Sequence, residues 1–181
     1  QPAFHTVTFD SYNGGKLAAQ NLIKSGYKAF AHIAGPISKP EANLRRAGFI
    51  DEIKKKNYNI EFEYKGDHSF ESGQLAFKSI NLNKYEDLGI FSSNDEMAMG
   101  FLSSAVEKGK YLSKSWGIIG YDNMPSSKIF HLKLSSIDIN LDKLAALSLE
   151  KLTDLINAPS FNSAITTTLI PVNAIIRETR R

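Results

Sequence analysis

Side chains able to hold a small molecule recur at intervals along this sequence: Asp10, Arg45, the pair Asp67 and His68, the pair Asn94 and Asp95, and the pair Asp122 and Asn123. A guanidinium donates in a planar fork, and a carboxylate or an amide can each hold neighbouring hydroxyls. A flat ring adds an apolar face to stack on. That set suits recognition of a polar small molecule. Reaction machinery is not evident beside it. There is no G-x-S-x-G elbow, and there is no phosphate loop or glycine-rich dinucleotide turn. The four histidines are scattered without metal-ligand spacing. The chain has no cysteine, which excludes disulfides, thiolate catalysis and cysteine-ligated zinc. An enzyme, a metal site and a bound cofactor are therefore not expected. Each polar residue also has a plain structural reading. Arg45 can pair with an acid such as Glu41, Asp122 can cap a turn, and His68 can lie on the surface. Residue types leave both readings open.

The elements that would position these groups follow from hydrophobic periodicity. His5 to Phe9, Ala29 to Ala34, Glu61 to Lys65, Gly89 to Phe91, Trp116 to Tyr121 and Leu134 to Ile139 read as strands. Between them Leu17, Ala18, Leu22 and Ile23 mark a helix after a turn at 10–15. Leu44, Ala47, Gly48 and Ile53 mark a second, and Gly73, Ala76, Phe77 and Ile80 a third. Met97, Ala98, Phe101, Leu102, Ala105 and Val106 form one apolar helical face, which Asp95 is placed to cap and Gly109 to stop. A long helix runs from Leu141 to Ile156 and ends at Ala158-Pro159-Ser160. Extended segments follow at Ala164 to Leu169 and Val172 to Ile176, and this last pair breaks the alternation and is expected outside the main sheet. Strands alternating with helices predict an α/β fold, a mostly parallel sheet with helices on both faces. Each polar cluster then falls at the carboxyl end of a strand, where open α/β sheets bind ligands.

Composition bounds the partners. The formal net charge is +3 over 181 residues, too small and dispersed to argue for direct nucleic-acid binding. The one basic run, Lys54-Lys55-Lys56, reads as the solvated end of a helix. No apolar run is long enough to cross a membrane, and the first residues have neither the basic region nor the apolar core of a signal peptide.

Taken in order, several stretches resemble the effector domain of LacI/GalR transcriptional regulators. They are Asp10-Ser11-Tyr12-Asn13-Gly14-Gly15, Leu22 to Tyr27, Ile33-Ala34-Gly35-Pro36, Arg45 to Phe49, Ser93 to Gly100, Ile118 to Asn123, Leu134 to Ile137 and Ile176 to Thr179. The resemblance covers nearly the whole chain in order and spacing. It departs from the family pattern at Tyr27, Ser113, Leu132 and the pair Ser135-Ser136.

The resemblance implies a periplasmic-binding-protein-like fold of two subdomains with the effector in the cleft between them. Residues 10–137 would form the C-terminal subdomain. Residues 1–9 and 138–170 would be parts of the N-terminal subdomain, and 171–181 would return to the C-terminal one. It also implies a longer protein, with a helix-turn-helix carried outside this chain. By position the effector would be held by Arg45, Asn94 and Asp122, with His68 where the family usually has a stacking aromatic and Phe9 and Asp10 at the crossover. The function implied is a cytoplasmic regulator, homodimeric, sensing a sugar-like metabolite and reaching operator DNA only through the absent domain. The helix after Asn94-Asp95 and the segment from Pro125 to His131 would share the dimer surface. The competing reading is a solute-binding protein of a sugar transporter, which has the same fold and cleft.

Overall fold

The alternation of side chains along each strand sorts the apolar residues between two cores, one on either face of a sheet. The computed structural model describes residues 4–110, 115–129, 132–157 and 165–180. In chain order the elements are β1 (Thr6–Phe9), α1 (Ser11–Lys24), β2 (Ala29–Ala34), α2 (Pro40–Lys55), β3 (Ile60–Lys65), α3 (Phe70–Ser79) and β4 (Leu88–Ser92). Then come α4 (Asp95–Glu107), β5 (Trp116–Asp122), α5 (Pro125–Ile129), β6 (Ser135–Asp138), α6 (Leu141–Asn157), β7 (Thr167–Ile170) and β8 (Asn173–Ile175). The main sheet has six strands in the order β3-β2-β4-β5-β6-β8. Its strands are parallel except β8, which pairs antiparallel with β6. A separate two-stranded parallel sheet joins β1 to β7.

Phe30, Phe91, Ile119, Tyr121 and Ile137 point to the face covered by Leu22 of α1 and by Phe49 and Ile53 of α2. Ala31, Ile33, Leu88, Ile90 and Ile118 point to the other face, under Ala76 of α3 and Met97, Phe101 and Leu102 of α4. This is the period-two pattern of a sheet buried on both sides. All five residues of β4 are buried, as suits the strand between β2 and β5. The α/β architecture with helices on both faces agrees with the sequence reading.

Some local expectations are corrected. The stretch 10–15 is not a turn: α1 begins at Ser11, with Gly14 and Gly15 inside it. Helical glycine costs about 1 kcal/mol against alanine, and packing explains why it is kept. A Cβ on Gly15 would lie 1.9 Å from the Arg45 carbonyl oxygen, and one on Gly48 would lie 1.9 Å from the Tyr12 carbonyl oxygen. So α1 and α2 touch backbone to backbone. Leu44, one of the residues that marked this helix, is 48% exposed. Of the last extended pair only β7 lies outside the main sheet. β8 joins it, since Val172 and Ala174 pack into the core on the α1 side. The helix α4 is buried nearly all round, between the sheet and α3, with Glu96 and Glu107 among its few exposed residues. Positions 113, 131, 158–160 and 164 lie outside the described residues.

The helix α6 buries none of its residues, and Leu149 and Ile156 are 66% and 72% exposed on its apolar stripe. Lys54, Lys55 and Lys56 are exposed at the end of α2, as the sequence suggested.

The contact between helix backbones yields a test. Gly15→Ala and Gly48→Ala should each destabilise the chain by roughly 1–3 kcal/mol, the cost of overpacking, although alanine is the better helix former. Urea denaturation measures this, and a midpoint at or above that of the unsubstituted chain would show that the helices do not touch there.

Candidate functional site

The ends of β2, β3, β4 and β5 share one edge of the main sheet, and Arg45 reaches that edge from α2. Pro40 starts this helix at its first turn, where a missing amide hydrogen costs nothing. Five residues later Arg45 lies 9% exposed. Its Nη1 donates to the Ser93 carbonyl oxygen at 2.7 Å, and its Nη2 is 3.7 Å from Asp122 Oδ1. The guanidinium carbon sits 3.8 Å from the centroid of the Tyr121 ring, a cation–π contact. Its Nε is buried with no hydrogen-bond partner, while the Tyr121 hydroxyl faces Ser11 and Arg45. Buried polar groups are almost always paired, so the open Nε–H marks the place as built for more than packing. The structural alternative for Arg45, a pair with Glu41, is not what forms.

Asp122 follows Tyr121 with φ of 104°, a left-handed backbone that a non-glycine residue adopts only where its surroundings enforce it. Burial raises its carboxyl to about 6, against the opposing pull of Arg45. His68 is also left-handed, with φ of 78°. It fills the space over Gly35, where a Cβ would meet its Nε2 at 2.0 Å, and Nε2 lies 3.5 Å from Ser93 Oγ. Burial, and then the Arg45 charge, lower its pKa, so the ring is kept neutral.

Asn94, not Asp95, caps α4. Its Oδ1 accepts from the Met97 amide at 3.0 Å, and its Nδ2 donates to the His68 carbonyl at 2.9 Å. The correction has a plain cause. The helix starts one residue earlier than a cap at Asp95 would require, so the extended residue before it is Asn94. Asp10 has the same task at α1, its Oδ1 accepting from the Asn13 amide at 3.0 Å. Phe9 packs beside the core that holds Tyr121, Ile137 and Val172. The structure thus gathers Arg45, His68, Asn94 and Asp122 around Ser93 and Tyr121, and it leaves Phe9 and Asp10 where β1 leads into α1. Ser11, Ser93 and Tyr121 were not singled out from the sequence. Tyr121 had a usable signal, since it ends a buried strand directly before an acid.

Asp95, freed from capping, turns beneath the edge. It is fully buried, with Oδ1 accepting from Ser136 Oγ at 2.6 Å and Oδ2 from the Met124 amide at 2.8 Å. Burial raises its pKa to about 7, opposed first by the Ser136 hydrogen bond. The dipole of α4 favours a charged acid in its first turn, by about 0.3–1 kcal/mol. A shift of this size amounts to roughly 4 kcal/mol, so desolvation wins.

A separate groove of about 520 Å³ opens at the β2–β3 side of the edge, lined by Gly35, Pro36, Ile37, Arg46, Glu63 and Gly66 among others. Within it Arg46 grips Glu63 through two hydrogen bonds of 2.8 and 3.0 Å.

The folded chain holds the Asp95 proton to about pH 7, whereas the unfolded chain releases it near the ordinary value of 3.8. The stability this carboxyl contributes is therefore complete below about pH 4 and is lost as pH rises through about 7. Asp122 acts in the same direction up to about pH 6. Asp95→Asn should flatten the fall in urea stability between pH 4 and 8, by up to about 4 kcal/mol. Parallel profiles for the two proteins would contradict the assignment.

Comparison with known proteins gives this edge a context. Residues 19–180 match the periplasmic binding protein-like domain. The chain is similar to the HTH-type transcriptional repressor PurR of Actinobacillus pleuropneumoniae serotype 3, with 36% identity over 81% of this chain and 44% of that protein. It is also similar to PurR of Photorhabdus laumondii, with 31% identity over 83% of this chain and 45% of that one. The chain thus spans about half the length of these curated relatives, which are repressors and not enzymes. Among solved structures, the lac repressor dimer bound to operator and the anti-inducer ONPF superposes with a TM-score of 0.86 at 25% identity, over 96% of this chain and 52% of that one. The transcriptional regulator CelR in complex with cellobiose shares the fold, with a TM-score of 0.87 at 21% identity over 97% of this chain and 54% of the other. The chain belongs to the periplasmic binding protein-like domain family.

Proposed function

We propose that the parent protein is a transcriptional regulator in which this domain senses a sugar or sugar derivative in the cytoplasm and controls operator binding by a helix-turn-helix outside the chain. The observation that carries the ligand reading is the buried Arg45 guanidinium, stacked on Tyr121, 3.7 Å from the Asp122 carboxylate and with Nε free to donate. A fork of donors beside an acceptor matches the alternating hydroxyls of a sugar. In this reading Arg45 and Asp122 make the direct contacts, His68 offers its neutral ring, and Asn94 holds the His68 backbone in place. Phe9 and Asp10 stand where the chain passes from one subdomain to the other.

The six-stranded sheet with α1 to α5 would be one wall of the cleft. The β1–β7 sheet and α6 would belong to the other, whose further chain would cover the exposed apolar stripe of α6. Ligand would then shift the angle between the walls only by as much as it binds one angle better than the other. The regulator reading is supported by the relatives, whose names include a helix-turn-helix, and by the lac repressor, which is a dimer on its operator. A homodimer is proposed here too. The exposure of Ile129, 85%, supports a share of that surface for the segment at Pro125–Ile129, whereas α4 has little surface left to give.

Calorimetric titration of the parent polypeptide with neutral mono- and disaccharides tests the ligand reading. At least one should bind, and Asp122→Asn and Arg45→Lys should each weaken it about 10–100-fold, the worth of a charge-assisted hydrogen bond. Binding by none, or unchanged binding to both variants, would contradict it. The residues encoded before Gln1 separate regulator from transporter component: a helix-turn-helix supports the first, a secretion signal the second.

A further inference from the structure

The turn after β5 is tied down by more bonds than presenting one carboxylate requires. Asp122 and Asn123 are left-handed in succession, with φ of 104° and 53°. The Asn123 amide donates to Ser136 Oγ at 2.9 Å, and the Met124 amide to Asp95 Oδ2 at 2.8 Å. Those two bonds alone would hold the turn. The Asn123 side chain does something else. Its Oδ1 accepts from Arg177 Nη2 at 2.6 Å, and its Nδ2 donates to Asp138 Oδ1 at 3.1 Å. The orientation of this amide is forced, because a guanidinium only donates and a carboxylate only accepts.

Both partners lie at informative places. Asp138 ends β6, and its Oδ1 also receives the Asn140 amide at 3.4 Å, just where the chain leaves the six-stranded sheet for α6. Arg177 lies just past β8, on chain that has come back from β7. It is itself anchored, Nη1 donating to the Leu134 carbonyl at 2.5 Å and its backbone amide to Ser135 Oγ at 2.9 Å.

We propose that Asn123 is a positioning residue that couples the Asp122 turn to the connection at Asp138–Asn140 and to the returning segment at Arg177. A shift of the turn is felt at the connection, and a shift of the connection is felt at the turn. The meaning of this link for regulation rests on the effector reading above, but the link itself belongs to this chain without ligand. Asparagine is the side chain the position needs. Alanine loses both bonds, and aspartate keeps Arg177 but sets one carboxylate against another.

Amide hydrogen exchange on the chain, without any sugar, tests this with Asn123→Asp, Asp138→Asn and the two combined. Asn123→Asp should speed exchange about tenfold, the worth of one hydrogen bond, at 122–124 and at 138–140 together. In the double variant the amide at 138 can donate back to the carboxylate at 123, and protection at both segments should return to within about threefold of the original. Two results would overturn the proposal: faster exchange at 122–124 with 138–140 unchanged, or a double variant no better protected than the single ones. If Asn123→Asp loosens β2 and β4 as well, the double variant still decides, since it repairs only a loss that arises from this pair. No effector enters the experiment, so its failure leaves the sugar reading standing, and a chain that binds no sugar can still show the link.

Discussion

At Gly15 and Gly48 the backbones of α1 and α2 meet with no side chain between them, and this contact sets where Arg45 stands. The atom that a Cβ on Gly15 would strike is the carbonyl oxygen of Arg45 itself. With α2 pressed this close, the guanidinium comes down on the Tyr121 ring and reaches the Ser93 carbonyl. One element further away, it would meet neither. The geometry of the sheet edge therefore follows from two residues that have no side chain.

Charge at this edge is held in check by burial. His68 is kept neutral, and the carboxyls of Asp95 and Asp122 are raised to about 7 and about 6. Arg45 carries the positive charge among the gathered groups, beside an Asp122 that is still largely ionised at neutral pH, and it is stacked on a ring and short of one hydrogen-bond partner. In such surroundings a single added hydrogen bond counts for more than in water. The strained backbones of His68 and Asp122 belong to the same arrangement. Neighbouring bonds pin both residues, so their side chains are positioned before anything binds.

The main elements were legible in the sequence because their signals are local. The run Ala29 to Ala34 gave β2 to its ends, and the buried strand read at Gly89 to Phe91 extends by one residue on each side. The errors arose where long-range packing overrules local preference. Gly14 and Gly15 read as a turn, yet a neighbouring helix makes glycine necessary inside α1. Leu44 fits an apolar period but faces solvent, and β8 is recruited to a sheet edge that no local pattern announces. At the site, residue types left Arg45, His68, Asn94 and Asp122 among several polar strand ends, and it was the resemblance that singled them out, while the division of labour between Asn94 and Asp95 was inverted. A one-residue difference in where a helix starts decides which of two neighbours caps it and which turns inward. Tyr121, Ser93 and Ser11 went unnoticed because their importance lies in what they touch, and contact across the fold is not written in spacing.

The Arg45 Nε–H group is the most direct reporter of the proposed site, since it is buried and has no partner. Its nitrogen and proton resonances can be followed by nuclear magnetic resonance while the parent protein is titrated with neutral saccharides. A saccharide that binds should shift this signal and slow its exchange with water, and the Asp122 amide should move with it. A saccharide that binds while Arg45 stays unmoved, with the changes falling instead in the groove at Gly35–Ile37 and Glu63, would contradict the account.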